Sequence, residues 1–220
     1  MAEYVDNFDR AQALTTTPGM NGWTVTDTSS SGTPTYLCTT GAGMKLTLVN
    51  TSEAEIVDMH HNDVLQFDVD QIKVADFWVK VAGVDSVSTL VWGLASARND
   101  TPDTVSYNAW FRMEGSASTT NVICESDDGV TDYDDKATGI TQAATFKIYR
   151  IDFTNGKSDI RFYAGDSLGS LVRVAPTVTF TLASYTGQLQ PYVQVQKASG
   201  TGVPSISIRR IRIEHQIIGG

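Results

Sequence analysis

Residues 190–216 alternate between apolar and polar side chains in two arms, QPYVQVQK and VPSISIRRIRIEHQ, on either side of the turn Ala-Ser-Gly-Thr-Gly. A period of two puts successive side chains on opposite faces of a strand, so this stretch predicts two strands that each bury one face. In the second arm Ile206 and Ile208 share one parity, whereas Ile211 and Ile213 share the other. Such a slip requires an extra residue, as in a β-bulge, or a bend that carries the strand between sheets.

The rest of the chain contains similar short segments, among them MKLTLVN, DFWVKVAG, STLVWGLAS and VSYNAWFRMEG. Asp128-Gly129 and Asn155-Gly156 separate two pairs of these segments, and both dipeptides fit the type I′ turn of a hairpin. The segment TSEAEIVDMHHND fits a short helix or an edge connection equally well. In total, roughly a dozen strands are predicted.

We find no internal repeat and no linker long enough to divide the chain. Strands at this density, separated by Gly, Asn and Asp, are typical of a sandwich of two sheets. The sequence therefore predicts an all-β, two-sheet antiparallel jelly-roll sandwich as a single domain over residues 23–220. Residues 1–22 are predicted to form an N-terminal arm or a first strand.

Charge and hydropathy exclude two classes of partner. The formal net charge is −9, whereas non-specific nucleic-acid binding requires clustered Lys and Arg, so we expect no nucleic acid. No apolar run reaches the roughly 18 residues of a membrane helix, so we expect no membrane. The first residues, Met-Ala-Glu-Tyr-Val-Asp, lack the basic and apolar segments of a secretory signal. Cys38 and Cys124 are the only cysteines, and two thiols are favoured over one disulfide for a chain made in a reducing compartment.

Two segments resemble a known family. FKIYRIDFTNGKSDIRFYAGDSLGSLVRV resembles the hairpin in which concanavalin A-like and laminin G-like jelly rolls follow an "ykI" strand with a "v.Fy.dG" strand. LQPYVQVQKASGTGVPSISIRRIRIEH resembles the closing strand pair of that superfamily, often "P.v.v.k..g....l.iDyvrv". The likeness spans most of residues 60–215 and implies the concanavalin A-like fold. The usual Asp-Tyr of the closing strand falls on Arg209 and Arg210, so any role of that Asp is not carried over.

Among chains of this type without a signal peptide, the sequence resembles virion proteins of tailed bacteriophages, especially capsid decoration or cement subunits. That resemblance implies a capsid-surface location after synthesis in the host cytoplasm. It also implies that the partners are the major capsid protein or other virion subunits, together with further copies of the chain.

The sequence offers little for catalysis or metal binding. Jelly-roll glucanases place two carboxylates on one strand face by an E-x-D-x-E spacing. Here Glu125 and Asp127 precede a turn, while Glu53 and Glu55 are followed by the apolar Val57. The acidic loop ESDDGVTDYDD lacks the EF-hand spacing for calcium, and a solvated loop is the preferred interpretation.

A zinc site is not predicted either. His60 and His61 are adjacent, so on a strand they point to opposite faces, and His215 is distant in sequence. No P-loop, dinucleotide fingerprint or Gly-x-Ser-x-Gly elbow is present. We therefore expect no metal, no cofactor and no catalytic residues.

Aromatic residues supply the best candidate for a ligand face. Phe77, Val79 and Val81 point to one face of their strand, and Trp78 and Lys80 point to the other face. In VSYNAWFRMEG the residues opposite the core are Asn108, Trp110 and Arg112. If the two strands are neighbours, these five side chains form a shallow surface of the kind used by lectins and protein interfaces. The alternative is that a loop or the N-terminal arm covers both tryptophans.

Charged residues and the arm suggest contacts between subunits. Arg209, Arg210 and Arg212 form a basic stripe that could pair with Asp127 and Asp128 of a neighbouring copy. Exposed pairs of this kind contribute only ~0–1 kcal/mol each, and a solvated edge strand explains the stripe equally well. Tyr4 and Phe8 in the arm are further candidate contacts, because an arm that cannot fold alone can order on a neighbour.

The sequence thus predicts a structural, non-enzymatic protein, a decoration or cement subunit that stabilises a phage head by multivalent attachment. The alternative is a carbohydrate-binding, lectin-like module on a phage fibre or head surface, with a glycan as partner. A glycosidase ranks third.

Overall fold

The structure is a computed structural model that describes residues 1–8, 22–64, 67–142 and 144–216. Within this part of the chain the regular structure consists of sixteen β-strands and two 3-10 segments, Pro102–Thr104 and Leu168–Ser170. The strands are β1 Ala2–Asn7, β2 Thr24–Asp27, β3 Thr35–Thr39, β4 Gly43–Thr47, β5 Glu55–His60, β6 Phe67–Asp68, β7 Ile72–Ala82, β8 Ser88–Ala95, β9 Asn108–Glu114, β10 Asn121–Asp127, β11 Asp132–Thr141, β12 Lys147–Asp152, β13 Arg161–Gly165, β14 Val172–Val174, β15 Gln188–Lys197 and β16 Ser205–His215. None of the helical segments described has the length and apolar character needed to cross a membrane.

The strands form two antiparallel eight-stranded sheets. Sheet A has the order β14-β13-β12-β7-β16-β4-β3, and β1 also pairs with β16. Sheet B has the order β11-β10-β9-β8-β15-β5-β2, and β6 also pairs with β15. This architecture confirms the predicted all-β, two-sheet antiparallel sandwich.

The core lies between the inner faces of the two sheets. Trp92 and Phe111 of sheet B stack at 6.3 Å between ring centroids, and Phe111 meets Phe162 of sheet A edge-to-face at 5.1 Å. These inward side chains follow the predicted alternation, since Ala109, Phe111 and Met113 are buried in the core. Burial of such large aromatic surfaces is the main favourable term for a sandwich of this kind.

The parity slip in β16 is a β-bulge, as predicted. Ile208 pairs with Val79 and Arg210 pairs with Trp78, so Arg209 is the extra residue. The bulge lets the isoleucines at 206, 208, 211 and 213 all point inward, and each is fully buried. It also marks a change of neighbour, because β4 pairs with Ser205–Ile208 and β1 pairs with residues 210–215.

The start of the chain belongs to the sandwich. The sequence offered an N-terminal arm or a first strand for residues 1–22. Residues 2–7 form a strand, β1, which pairs with β16. Phe8 is 1% exposed and lies 5.8 Å from the ring of Trp23, so its prediction as a subunit contact is wrong. Its side chain is needed by the core. The rest of the predicted arm, residues 9–21, lies outside the described residues.

Three local predictions are corrected. The segment TSEAEIVDMHHND contains strand β5, because Val57 and Met59 alternate into the core. Both predicted hairpins form, but only their glycines have positive φ, 78° at Gly129 and 85° at Gly156, so neither turn is type I′. At the first turn the Asp128 carboxylate accepts backbone N–H groups of Val130 and Thr131, which closes a longer turn. TVTFTLA makes an isolated bridge at Phe180.

Candidate functional site

The two candidate tryptophans lie on opposite outer faces of the sandwich. Trp78 is on β7 of sheet A, whereas Trp110 is on β9 of sheet B. The predicted common surface of Trp78, Lys80, Asn108, Trp110 and Arg112 therefore does not form. The parity of each strand was predicted correctly, but the assumption that the two strands are neighbours is wrong.

The outer face of sheet B carries cross-strand rows of side chains. One row is Tyr192, Gly93, Trp110 and Glu125, on β15, β8, β9 and β10. Trp110 and Tyr192 stack across the glycine at 6.1 Å between centroids and 30° between planes. A Cβ on Gly93 would collide with the backbone of Trp110. The glycine is thus what permits the two rings to approach each other over the strand.

A loop formed by residues 96–107 covers this row. It connects β8 to β9, which are adjacent antiparallel strands that a two-residue turn could join. The loop folds back over the sheet, and Val105 packs with Val91, Trp110 and Tyr192 in a small second core. Trp110 is consequently 0% exposed, as the alternative of a covering loop predicted. Long connections of this kind are usually functional.

Polar contacts fasten the loop to the sheet. The hydroxyl of Tyr192 and the Nε2 amide of Gln194 each donate to the carbonyl of Asn99 at 3.0 Å. The Arg98 guanidinium donates to the Oδ2 atom of Asp58 at 2.8 Å. At the far end of the loop, Asp103 accepts a hydrogen bond from Arg112. Polar contacts, together with the backbone N–H of Arg98 that donates to Asp63 at 2.7 Å, therefore hold the loop, whereas few apolar contacts do.

Asp58 is a fully buried acidic anchor of the loop. Its carboxylate is 0% exposed, and burial raises the pKa of Asp58 to about 7, although Arg98 opposes the rise. Beside it, burial lowers the pKa of His60 to about 4. The Nδ1 atom of His60 accepts the backbone N–H of Asn62 at 2.8 Å. His60 is therefore neutral with its proton on Nε2, which lies 2.9 Å from the Thr26 hydroxyl.

A second buried charge cluster surrounds Arg112. Its guanidinium lies 3.1 Å from Glu125 and 3.0 Å from Asp135, and it also pairs with Asp103. Burial raises the pKa of Glu125 to about 8, while the nearby Arg112 opposes that rise. Burial alone would lower the pKa of Arg112, but the three acidic neighbours raise it above its ordinary value. Perturbed ionisable groups concentrated on one face are a mark of a functional site.

Several buried polar atoms beneath and beside the loop have no hydrogen-bond partner among the described residues. Orphaned buried groups of this kind are rare in folded proteins, because each costs its desolvation free energy. Ordered water commonly satisfies buried groups of this kind. The atoms are Asn108 Oδ1, Arg112 Nε and Gln194 Oε1.

An open groove crosses the same face on one side of the loop. It has a volume of about 480 Å³, and its floor is the cross-strand row Ile56, Gln196, Thr89 and Glu114. The row of Gln194, Val91 and Arg112 lies between this floor and the covered row. Asp100 and Thr101 of the covering loop form one wall. A second hollow of about 250 Å³ shares Glu114 and continues across β10 and β11. The lining combines hydroxyl, amide and carboxylate groups with small apolar side chains.

A caged lysine builds the rim of the groove. Lys197 ends β15 with a fully buried ammonium group. Its Nζ atom donates to the carbonyl oxygens of Val49 at 2.5 Å, Thr51 at 2.7 Å and Gly202 at 3.1 Å. The carboxylate of Glu55, also fully buried, lies 3.6 Å away. This ammonium holds two loops together, and its three carbonyl partners and the carboxylate offset the cost of its burial.

The groove has two carboxylates, and both are engaged by neighbours. Glu114 accepts hydrogen bonds from Thr89 at 3.1 Å and Ser116 at 2.9 Å. Asp100 accepts from Thr28 at 2.7 Å and pairs with Arg98. Glu125, the carboxyl group with the raised pKa, is buried under the loop rather than in the groove. No group of three His, Cys, Asp or Glu side chains suited to a metal ion occurs within the described ranges.

The outer face of sheet A brings together residues that the sequence placed in separate groups. Arg210 lies over the ring of Trp78 at 5.1 Å, and Lys80 and Arg209 both lie over Phe146, at 5.2 and 4.4 Å. Trp78, Lys80, Arg209 and Arg210 therefore form one continuous surface of cations and rings. These contacts are cation–π interactions on a largely solvated face.

The remaining predicted contact residues are engaged within the chain. Arg212 lies 2.8 Å from Asp76, a 0% exposed carboxylate, and also pairs with Glu3 and Glu214. Asp128 is buried in its turn, so its prediction as an exposed subunit contact is wrong. Asp127 is half-buried and accepts the N–H of Gly129. Tyr4 packs edge-to-face on Phe67 at 5.5 Å.

Cys38 and Cys124 are buried, and the Cys124 thiol lies 3.7 Å from the carbonyl of Lys136.

The covering loop and its anchors were not predicted from the sequence. Tyr192 and Gln194 were assigned only to a strand, and Arg98 was not considered. Two signals were available in the sequence. Gly93 interrupts a strand pattern, which often marks a close approach of backbone or ligand. Lys197 shares the parity of the core residues Val193 and Val195, which indicates a buried ammonium group.

Comparison with known proteins shows the fold. No family model matches the chain, and no curated protein is similar to it in sequence. Among solved structures, a β-glucanase of Bacillus licheniformis superposes with a TM-score of 0.63 at 14% identity, covering 98% of this chain and 99% of that one. An immunostimulatory antigen and pseudo β-1,3-glucanase of Mycobacterium tuberculosis gives a TM-score of 0.61 at 11% identity, covering 97% and 98%.

A third similar structure is the carbohydrate recognition domain of Emp46p in a potassium-bound form. It superposes with a TM-score of 0.59 at 8% identity and covers 97% of this chain and 96% of that one. The chain thus has the concanavalin A-like jelly-roll fold shared by lectins and glucanases, as the sequence resemblance implied. Identities at this level show the fold alone.

Proposed function

We propose that this protein is a carbohydrate-binding domain whose ligand lies in the open groove on the outer face of sheet B. The observation that carries the proposal is the groove itself, about 480 Å³ in volume, which crosses β5, β15, β8 and β9. Its hydroxyl, amide and carboxylate groups match the hydrogen-bonding needs of a saccharide. The second hollow beyond Glu114 extends this surface along the direction in which an oligosaccharide would run.

The chemistry of the face supports binding rather than hydrolysis. Glycoside hydrolysis requires two carboxyl groups on opposite sides of the scissile bond, one of them held protonated. Glu125 has the raised pKa expected of an acid, about 8, but it is buried and paired with Arg112. The named similar structures include a glucanase, a pseudo glucanase and a carbohydrate recognition domain. A fold with that range supports a binding role as readily as a catalytic one.

The expected decoration of a phage capsid stays a prediction. None of the three similar structures named above is described as a virion protein. A carbohydrate-binding domain on a phage fibre or head surface is compatible with both a virion location and glycan binding. It was the alternative function predicted from the sequence.

The proposal is tested by a glycan array followed by calorimetric titration of the best ligand. Thr89→Val and Gln196→Ala remove hydrogen-bonding groups from the groove floor. Each is expected to weaken binding by roughly 2- to 10-fold, the equivalent of one neutral hydrogen bond. Thr47→Val on the outer face of sheet A is the matched control and is expected to leave binding unchanged. Trp110→Ala is unsuitable, because this side chain is buried.

Two outcomes would contradict the proposal. One is that no glycan binds in the array, and that both floor variants bind any other ligand found as tightly as the intact chain does. The other is release of reducing ends from β-glucans by the intact chain at a rate that Glu114→Gln abolishes. The second outcome would make the groove a catalytic site.

A further inference from the structure

Two adjacent rows on the outer face of sheet A carry a set of cations that have no acidic partner. Lys45 and Lys80 flank Ser207 in one row, and Arg210 lies beside Trp78 in the next, with Arg209 at the bulge between them. We name Lys45, Lys80, Arg209 and Arg210 the cationic patch. Lys45 and Arg209 are exposed, whereas Lys80 and Arg210 are half-buried.

These four cations differ from two other basic groups on the same face. Arg150 and Arg212 both bind Asp76, at 2.7 and 2.8 Å. In the described part of the chain no carboxylate lies within 4.0 Å of any member of the cationic patch. Three of its members rest on the rings of Trp78 and Phe146 instead. The rings hold the cations in place and leave N–H groups free to donate outward.

The same chain carries the complementary surface. β11 is the last strand of sheet B, and Asp132 and Asp134 on it are exposed. We name Asp127, Asp132 and Asp134 the acidic edge. None of the three has a Lys or Arg partner within 4.0 Å among the described residues. Burial and the neighbouring Asp134 raise the pKa of Asp132 to about 6, so a cation placed here would relieve mutual repulsion.

We propose that the cationic patch binds the acidic edge of a second copy of this chain. The two surfaces lie on different sheets, so they cannot meet within one molecule. A contact between unlike surfaces is heterologous and adds copies head to tail instead of closing a two-fold dimer. Charges on β11 also prevent direct strand pairing at that edge, so the contact is made by side chains.

The strength of this association depends on salt. Each exposed ion pair is weak and is screened within about 10 Å at moderate ionic strength. With a net charge of −9 the copies repel each other at long range. The contact is therefore expected at high protein concentration and low salt, or where copies are held close together on a surface.

Sedimentation velocity over a range of protein concentrations, at low and at high salt, tests the proposal by charge exchange. One variant carries Lys80→Glu, Arg209→Glu and Arg210→Glu, and the other carries Asp132→Lys and Asp134→Lys. The intact chain is expected to self-associate at low salt, and each variant alone to associate about tenfold more weakly. An equimolar mixture of the two variants is expected to recover association, because each then offers the charge that the other lacks.

Thermal unfolding of both variants checks that they fold, and all the altered side chains are exposed or half-buried. Should either reversed variant not fold, Arg209→Gln with Lys80→Gln replaces the first and Asp132→Asn with Asp134→Asn the second; each pair is expected to weaken association. Monomers at every concentration and salt condition would overturn the proposal. So would mixed variants that stay monomeric while the intact chain associates. Loss of alginate binding by the first variant, with the intact chain monomeric, would assign the patch to an anionic polysaccharide instead.

Discussion

The outer faces of the two sheets treat charge in opposite ways. On sheet B, Asp58 and Glu125 are buried, and their pKa values rise to about 7 and about 8. On sheet A, most cations stay at the surface, where Arg209 and Arg210 rest on aromatic rings. Both faces are built on the same alternation of side chains within strands. The difference arises from what lies above sheet B, where the loop of residues 96–107 covers part of the face.

Burial of a charge is expensive, and a structure keeps it when geometry or function requires it. The cluster of Arg112, Glu125 and Asp103 secures the far end of the covering loop. The exposed cations of sheet A stay solvated, so their desolvation cost is small and they contribute little to the free energy of folding. This difference supports the proposed ligand binding on sheet B and the proposed contact between copies on sheet A.

The largest expected effect concerns the buried cluster on sheet B. Arg112→Met removes the cation shared by Glu125, Asp103 and Asp135, and we expect a loss of about 2–3 kcal/mol in the free energy of unfolding. Lys147→Met in β12 of sheet A is the control, because Lys147 pairs with the exposed Asp166 at 2.7 Å and should contribute only ~0–1 kcal/mol. Urea unfolding of both variants measures the two losses in the free energy of unfolding. Equal losses would contradict the difference between the two faces.

The pH dependence of stability should differ in sign between the faces. Because the folded pKa of Glu125 is about 8 and its ordinary value is 4.5, the folded state keeps a proton that the unfolded state has lost. Its contribution is complete below pH ~4.5 and disappears as the pH rises towards 8. Asp159, in the loop that precedes β13 of sheet A, behaves oppositely, since a hydrogen bond from Arg161 lowers its pKa and its contribution is lost on acidification.

Glu125→Gln isolates this effect. Between pH 5 and 8 the intact chain should lose stability by at least ~1.4 kcal/mol more than the variant, the equivalent of one pKa unit. Both proteins share His60, whose lowered pKa destabilises the folded state as the pH falls below 6.5, so that contribution cancels. Denaturant unfolding at several pH values provides the measurement. Parallel pH profiles would show that Glu125 titrates normally.

A smaller effect is expected from one loop anchor. Tyr192→Phe removes the hydrogen bond to the carbonyl of Asn99, worth about 1 kcal/mol, while Gln194 keeps its own bond to the same atom. Amide hydrogen exchange in residues 96–107 should accelerate by roughly fivefold if this bond opposes local opening. Tyr163→Phe on the outer face of sheet A is the control. Unchanged exchange in the loop would mean that Tyr192 does not restrain it.

The smallest effect is expected on sheet A. Arg209→Gln removes a cation from the ring of Phe146, and an exposed contact of this kind is worth only ~0.5–1 kcal/mol. Thermal unfolding should therefore shift by little, even if association of copies is weakened. A loss as large as that of Arg112→Met would show that the patch is part of the folding core.

Structural features that depend on residues close together in the sequence were predicted correctly. Parity in β7 and β9 correctly separated Phe77 and Phe111 from Trp78 and Trp110. The slip around Arg209 predicted the bulge, because period-two alternation leaves few other solutions. The resemblance of the two hairpin segments supplied the fold.

What the sequence could not supply depends on pairing between distant strands. Parity states which face of a sheet a side chain occupies, but not which sheet, so Trp78 and Trp110 were wrongly combined. The segment ASARNDTPDTVS looks like an ordinary polar loop. Its role becomes visible only when β8 and β9 are known to be neighbours. Phe8 was misassigned because its burial depends on Trp23, beyond residues 9–21.

The pairing of β1 with β16 also has a consequence for synthesis of the protein. Ala2 lies opposite His215, so β1 can pair only after β16 has left the ribosome. Until then the apolar side chains of β1 have no partner strand, and long-range pairing of this kind slows folding. An incomplete sheet exposes a strand edge and apolar surface, which favours aggregation during synthesis.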